Sequence, residues 1–251
     1  MNDNNFKSIR INEWFVPRFG PLKFRAFIGM LFLPYTGMCI SFTIIGSMLS
    51  ESIAWDRVLS IFIIYFLALG VSAHAADNLG SKKIKPWGTF FSTLELRLMV
   101  IGGLSVSYIL GIYYIITFAP LLLIIAIIEG FFLFAYNFEL FNGFFHNNFW
   151  FAVSWGGVPL LAGFVIQTNS ISILAILSSI IAFLVAYTEI KISRKYKELK
   201  RKSQDIIDCN TKKLEHSLKI ISLITISFAV LLIVCRYFIE HYNIFFRFNI
   251  N

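Results

Sequence analysis

Two short polar clusters stand at the ends of otherwise apolar segments of the sequence. The first reads Ala73-His74-Ala75-Ala76-Asp77-Asn78, and the second reads Tyr136-Asn137-Phe138-Glu139 with His146 close behind. His74 and Asp77 are three residues apart, so a helix would present both on one face, where they could address one ligand. An imidazole can accept a proton, and together with a carboxylate it can bind a metal ion. The two clusters are therefore the first candidates for a functional site.

Glu129 is a further candidate because it lies near the middle of an apolar segment. An ionisable side chain at the centre of a membrane helix raises the free energy of inserting that helix by about 2.5 to 3.5 kcal/mol. Tyr136 and Asn137 follow about two helical turns later, so all three side chains share one face of a helix. Two interpretations stay open for Glu129: a carboxyl group satisfied by a neighbouring helix, and a group that faces a cavity.

The loops next to the clusters allow two interpretations each. Glu139 and His146 lie in a short loop that is rich in Asn and contains no Lys or Arg. This loop either folds against the end of the bundle and contributes to the site, or is an ordinary turn. Lys82, Lys83 and Lys85 follow the first cluster and either set membrane topology or face an anion.

The elements that position these residues are predicted to be membrane helices. Hydrophobic residues make up 57% of the chain and charged residues 14%, and the apolar runs approach the roughly 20 residues that a bilayer span requires. Breaks at Pro120 and at the polar turn 167–170 divide the two longest runs. The prediction is an all-α polytopic transmembrane bundle of about seven spans: 26–48, 58–76, 98–117, 119–136, 149–166, 171–188 and 220–237.

Charge distribution predicts the orientation of the bundle. Of the 22 Lys and Arg residues, only Arg57, Arg236 and Arg247 fall on the side opposite to the rest. Since basic residues accumulate in cytoplasmic loops, the amino terminus and the basic loops are predicted to be cytoplasmic, in a multi-pass protein of the cell membrane. Both polar clusters then lie on the cytoplasmic face. The net charge of +8 reflects this topology, and no nucleic-acid partner is predicted.

The chain is predicted to form a single membrane domain, 1–251, with a basic cytoplasmic helical loop at 191–219. Cys39, Cys209 and Cys235 lie at different predicted depths, so no structural disulfide is expected. The cysteine spacing does not indicate a zinc site.

At the two clusters the chain resembles the UbiA superfamily of intramembrane prenyltransferases. The first acidic motif of that family reads Asn-Asp-x-x-Asp-x-x-x-Asp and is followed by Arg-Pro. The corresponding residues here are Ala73 to Ser81, followed by Lys85-Pro86. Asp77 is the one acid retained, with His74 and Ser81 at the other two acidic positions. Tyr136 to Leu140 is similar to a Tyr-Pro-x-x-Lys pattern of the family, and Glu189 stands near its second acidic motif.

The resemblance implies a helical bundle that moves a polyprenyl group from its diphosphate to an acceptor at a cytoplasm-facing cavity. It implies Mg²⁺ as cofactor, with Asp77 and His74 as metal ligands. The residues implied in catalysis are His74, Asp77, Tyr136, Asn137 and Glu139. Those implied in substrate binding are Asn78, Lys82, Lys83, Lys85, Glu129, His146 and Glu189. The expected partner is a membrane lipid or isoprenoid substrate.

Two alternatives stay open at this point. Because the first motif has lost two of its acids, the protein could be a non-catalytic lipid-binding or scaffold protein. Because Glu129 lies within a span, it could instead be a proton-coupled transporter that uses this carboxyl group.

Overall fold

The structure, a computed structural model, describes residues 10–81, 85, 87–202 and 209–248. Helices account for about four fifths of these residues, and the described part of the chain contains no β-strand. The predicted all-helical class is therefore confirmed. The α-helices are α1 Leu22–Met30, α2 Leu33–Met48, α3 Trp55–Tyr65, α4 His74–Gly80, α5 Thr93–Thr117, α6 Leu122–Asn137, α7 Asn148–Ala152, α8 Val158–Thr168, α9 Ile173–Lys202 and α10 Cys209–Phe248.

Six helical segments in the described residues are long and apolar enough to cross a membrane. They are Leu22–Met48, Trp55–Gly80, Thr93–Thr117, Asn148–Thr168, Ile173–Lys200 and Cys209–Glu240. Side chains on the outer faces of α5, α9 and α10 are largely apolar and exposed, as expected where helices face lipid. These features indicate a multi-pass membrane protein.

The remaining predicted span, 119–136, corresponds to the shorter helix α6. Its 16 residues extend for about 24 Å at the rise of an α-helix, less than the roughly 30 Å of a bilayer's hydrocarbon core. The break before it is where Pro120 predicts it, because α5 ends at Thr117 and α6 begins at Leu122. Seven membrane crossings therefore stay a prediction, whereas six helices of sufficient length are observed.

Three of the long segments contain a local break in regular α-helix, and each break lies near the polar clusters. Phe32 separates α1 from α2 with a left-handed backbone, φ 47° and ψ 48°. A π-helical segment, Phe66–Ala73, joins α3 to α4, and a second, Val153–Gly157, joins α7 to α8. In the second segment Val158 N–H donates to Val153 O, which is the wider π spacing, and Pro159 has no N–H to continue the normal pattern. The run Trp155-Gly156-Gly157-Val158-Pro159 in the sequence predicts that this span bends or becomes thinner, but it does not predict the π segments.

Helices α2 and α8 approach each other closely through two glycines. A Cβ atom on Gly46 would lie 1.9 Å from Leu160 O, and one on Gly163 would lie 1.8 Å from Thr43 O. Ser47 Oγ also donates a hydrogen bond of 3.0 Å to Gly163 O. Small residues with a bridging hydroxyl are typical of tight helix pairs in membranes, so this pair forms the centre of the bundle.

The amino-terminal segment is held against α9 and α10 by one buried tyrosine. Tyr196 is 2% exposed, and its hydroxyl lies 3.0 Å from Glu13 Oε2 and 3.3 Å from Glu215 Oε2. Lys200 Nζ donates both to Glu13 Oε2 and to the Tyr196 hydroxyl, each at 2.9 Å. These contacts fix the segment that includes Arg10 over one end of the bundle.

At the opposite end of the bundle, Gln167 joins α8 to the start of α3. Its side chain accepts from Ala54 N at 2.9 Å and donates to Ala54 O at 3.1 Å. Arg57 donates to Gln167 O at 2.9 Å. Trp55 Nε1 donates to Glu240 Oε2 of α10 at 3.1 Å, so three spans are connected there by side-chain hydrogen bonds.

Helices α9 and α10 continue beyond the apolar segments into the region predicted as a basic helical loop. Residues 191–202 belong to α9 and residues 209–219 to α10. Residues 203–208 lie outside the described part of the chain.

Candidate functional site

A cavity of about 590 Å³ opens at the end of the bundle where the amino-terminal segment lies, and we call it the polar cavity. Its walls come from the α1–α2 junction, the end of the second long segment, the end of α6 with its following loop, the start of the α7–α8 segment, and α9. The lining residues are Arg10, Phe32, Tyr35, Ala73, His74, Asp77, Tyr136, Asn137, His146, Phe151, Trp155, Glu189, Ile190, Ser193, Arg194, Lys197 and Glu198. The structure thus places both predicted clusters around one space.

His74 is held in a defined orientation at the wall of the polar cavity. Its Nδ1 lies 3.0 Å from Gly70 O, a carbonyl within the first π segment. Because a carbonyl oxygen can only accept, Nδ1 carries the hydrogen, and in the neutral ring Nε2 then keeps its lone pair. The ring lies between Phe32, at 5.2 Å between centroids, and Trp155, at 5.3 Å. The two aromatic contacts and the hydrogen bond limit rotation of the imidazole, so Nε2 is a positioned proton acceptor.

Tyr136 connects α6, the following loop and α9 at the cavity. Its hydroxyl accepts a hydrogen bond of 3.2 Å from Arg194 Nη2. The His146 ring stacks on the Tyr136 ring at 4.4 Å, and His146 Nδ1 donates to Tyr136 O at 3.0 Å. The loop with His146 therefore folds back against the end of the bundle, which is the first of the two interpretations open for it.

Two cationic side chains of the cavity contact the same aromatic ring. Arg10 Cζ lies 5.5 Å from the centroid of Phe32, and Lys197 Nζ lies 5.3 Å from it. The described residues give the Lys197 ammonium group no hydrogen bond. Ring contacts stabilise cations, and the Asp77 carboxyl group interacts electrostatically with both of them. Together with Arg194, they give this part of the cavity three cationic groups that a negatively charged ligand could contact.

Three carboxyl side chains also line the cavity and oppose this positive charge: Asp77, Glu189 and Glu198. Glu189 is 3% exposed, and its Oε1 has no hydrogen-bond partner among the described residues. Asp77 lies on α4, one turn beyond His74. Asn137 donates from Nδ2 to Leu133 O at 2.7 Å, which leaves its Oδ1 as a further acceptor. The cavity therefore offers acceptors as well as cations, an arrangement that can bind an anion and a hydrogen-bond donor at the same time.

Six of the residues singled out in the sequence line the polar cavity: His74, Asp77, Tyr136, Asn137, His146 and Glu189. The others do not. Asn78 is fully buried beside the cavity wall, where its Oδ1 accepts from Trp87 N at 3.0 Å, so its position supports the loop after α4. Glu139 is exposed in the turn after α6, and Lys85 is half-buried in the loop after α4. Lys82 and Lys83 lie outside the described residues.

Glu129 lines a second, smaller cavity in the middle of the membrane segment rather than the polar cavity. Its Oε1 accepts a hydrogen bond of 3.0 Å from the Tyr65 hydroxyl. Glu129, Tyr136 and Asn137 all lie on α6, as predicted. However, Tyr136 and Asn137 line the polar cavity, whereas Glu129 lines the second cavity.

Sequence reasoning missed the part of the cavity formed by Arg10, Phe32 and Tyr35, and on α9 it included Glu189 but missed Ser193, Arg194 and Lys197. Arg10 and Lys197 belong to basic segments that were interpreted as determinants of topology. A signal was nevertheless present, because Glu189, Ser193 and Lys197 recur at intervals of four residues and so share one helix face. Where a membrane helix continues into a basic segment, polar residues at this spacing indicate a face directed into the protein.

A magnesium site is not supported by the residues that surround the cavity. Mg²⁺ prefers an octahedral set of oxygen ligands. Within the described ranges, no group of three or more His, Cys, Asp or Glu side chains could hold a metal ion. Asp77 and His74 alone do not complete such a set, so the function proposed below uses no metal-dependent step, and Mg²⁺ stays an implication of the resemblance.

Comparison of the chain with protein-family models, with curated proteins and with solved structures found no match. The class that fold and site define is therefore a multi-pass helical membrane protein with a polar cavity at one end of its bundle. The likeness to prenyltransferases stays a prediction.

Proposed function

We propose that the protein binds the phosphate or diphosphate headgroup of a membrane lipid in the polar cavity. The observation that supports this most directly is the pair of cations at the Phe32 ring, Arg10 and Lys197. Arg194 adds a guanidinium group that is held by the Tyr136 hydroxyl. Guanidinium and ammonium groups are the usual ligands of phosphate oxygens.

The position and walls of the cavity support a lipid rather than a soluble phosphate compound. The cavity lies at the end of membrane-length helices, and five of its lining residues are aromatic: Phe32, Tyr35, Tyr136, Phe151 and Trp155. The rings of Phe151 and Trp155 stack at 5.3 Å, forming an apolar wall beside the charged groups. A charged pocket next to an apolar wall suits an amphiphile, and a polyprenyl diphosphate is the amphiphile that the resemblance implies.

Prenyl transfer is the second candidate, and the orientation of His74 favours it over a purely structural role. In this reaction the bond between the allylic carbon and the diphosphate oxygen breaks, and the diphosphate leaves with the electron pair. The acceptor's nucleophilic atom forms a bond to the allylic carbon, and its proton passes to His74 Nε2. The cations stabilise the charge that develops on the leaving diphosphate, and the aromatic walls stabilise the allylic cation.

A binding experiment on the purified protein in detergent tests the proposed function. Geranylgeranyl diphosphate is compared with geranylgeraniol, which has the same chain without the charge, and with inorganic diphosphate, which has the charge without the chain. We expect the prenyl diphosphate to bind best. Lys197→Met removes one charge-assisted contact and should weaken its binding roughly tenfold or more.

Lys195→Met is the matched control because Lys195 is exposed on the same helix and does not line the cavity. It removes the same charge from α9 and should leave binding unchanged. Equal binding of geranylgeraniol, or equal losses in the two lysine variants, would overturn the proposal.

The two candidate activities are separated by measuring diphosphate release in the presence of membrane extract as a source of acceptors. An enzyme should release diphosphate, and His74→Gln should slow release while leaving prenyl diphosphate binding intact. Binding without release from the wild-type protein would identify a non-catalytic lipid-binding protein.

A further inference from the structure

A second opening lies in the middle of the membrane segment, between α5 and α6 and against the second long segment; we call it the membrane crevice. It has a volume of about 80 Å³, and apolar side chains form most of its walls. Several of its residues, such as Tyr108 at 40% exposure, reach the outer surface of the helices. The crevice is therefore accessible from the lipid side.

One carboxyl group interrupts the apolar wall of the membrane crevice. Glu129 Oε1 accepts from the Tyr65 hydroxyl at 3.0 Å. Glu129 Oε2 is buried and has no hydrogen-bond partner in the described part of the chain. The Ser107 hydroxyl, also in the crevice, cannot serve it, because this hydroxyl already lies 2.8 Å from Gly103 O and 3.1 Å from Ile64 O. The Tyr108 hydroxyl also lines the crevice but makes no hydrogen bond to this oxygen. A carboxyl oxygen buried without a partner is costly, so the crevice lacks one polar partner for Glu129.

The surroundings of Glu129 restrict the kind of partner that would fit. A water molecule in a cavity needs two to four polar partners; the Tyr65 and Ser107 hydroxyls are already hydrogen-bonded, which leaves the carboxyl group and the Tyr108 hydroxyl. An ammonium group would have to leave water and reach the membrane interior, where charge is strongly disfavoured. A hydroxyl group on an apolar molecule brings a donor and an acceptor without charge, so it can pair with either protonation state of the carboxyl group, and its chain replaces lipid against the crevice walls.

We propose that the membrane crevice binds a neutral, hydroxyl-bearing membrane molecule, such as a long-chain alcohol, whose hydroxyl forms a hydrogen bond with the Glu129 carboxyl group. This site is separate from the polar cavity and does not depend on the function proposed for it. It assigns to Glu129 a role in recognising an apolar ligand from within the bilayer.

Photo-crosslinking in nanodiscs tests this inference. The probes are hexadecanol with a diazirine in its chain, the chain-matched hydrocarbon, which has no polar group, and the chain-matched primary amine. Mass spectrometry then measures the fraction of label on residues 104–133. We expect the alcohol to label this region roughly fivefold or more above the hydrocarbon, as one hydrogen bond to a buried carboxyl oxygen would produce.

Glu129→Met removes the carboxyl group while keeping a side chain of similar length, and it should abolish the preference for the alcohol. Glu139→Met is the control, because Glu139 is exposed after the end of the same helix and lines neither cavity. Equal labelling by alcohol and hydrocarbon would overturn the inference, as would stronger labelling by the amine or a preference that survives Glu129→Met. The comparison of alcohol and hydrocarbon uses the wild-type protein, so it decides the question even if the variant does not fold.

Discussion

Replacing Gly163 by alanine should separate the helix pair at the centre of the bundle. A Cβ atom at this position would lie 1.8 Å from Thr43 O, whereas ordinary contact begins at 3.4 Å. The obstructing atom is backbone, so it cannot move by changing a rotamer. Helices α2 and α8 would have to move apart by roughly 1.5 Å in a densely packed region.

The cost of this substitution follows from the packing that it disturbs. Overpacking a close contact typically costs about 1 to 3 kcal/mol, and occasionally more. Separation of the helices would also lengthen the 3.0 Å hydrogen bond from Ser47 Oγ to Gly163 O, and a lost hydrogen bond adds about 1 kcal/mol. We therefore expect Gly163→Ala to destabilise the protein by about 3 kcal/mol.

Thermal unfolding of the purified protein in detergent measures the effect, with Gly102→Ala as the control. Nothing lies within 4 Å of a Cβ atom built on Gly102, so that change should be neutral or stabilising, because alanine favours a helix over glycine by about 1 kcal/mol. If the two alanine variants unfold at the same temperature, α2 and α8 do not approach each other as closely as the structure shows.

Three further predictions concern other parts of the protein. Tyr196→Phe removes the hydroxyl that joins the amino-terminal segment to α9 and α10, and should lower stability in thermal unfolding by about 1 to 3 kcal/mol; Tyr187→Phe, whose hydroxyl bonds to none of the described residues, should not. Gln167→Leu should lower the free energy of unfolding by a similar amount, because the backbone N–H and C=O groups of Ala54 both lose their hydrogen-bond partner. An unchanged unfolding temperature would contradict the role given to these hydrogen bonds. Cys209 is exposed on the basic side, so a membrane-impermeant maleimide should label it in inside-out vesicles and not in intact cells; the reverse pattern would invert the predicted topology.

The helices could be predicted from the sequence because membrane burial requires continuous apolar runs. Each of the seven predicted segments is helical, and the breaks at Pro120 and at 167–170 are confirmed, since proline and a polar turn both end a helix in an apolar environment. The left-handed residue Phe32 could not be predicted, because a non-glycine residue in this conformation is held there by its surroundings rather than by its own preference. The π segments likewise depend on how neighbouring helices pack.

The candidate site could be predicted in part. The one-sided charge pattern places His74 and Tyr136 on one membrane face, and the structure brings both to the polar cavity. Lys197 was missed because a basic residue after a membrane helix normally indicates topology, and charge alone does not reveal which face of the helix carries it. Asn78 was included for its polarity, although its amide accepts from a backbone N–H of the next loop.

The most direct test of the central claim is a cryo-electron microscopy structure of the protein in a nanodisc with geranylgeranyl diphosphate, using a bound antibody fragment for alignment. We predict density for the diphosphate in the polar cavity, in contact with Lys197 and Arg194, and density for the chain along the wall of Phe151 and Trp155. A polar cavity without headgroup density at saturating ligand, or ligand bound elsewhere on the protein, would contradict the claim.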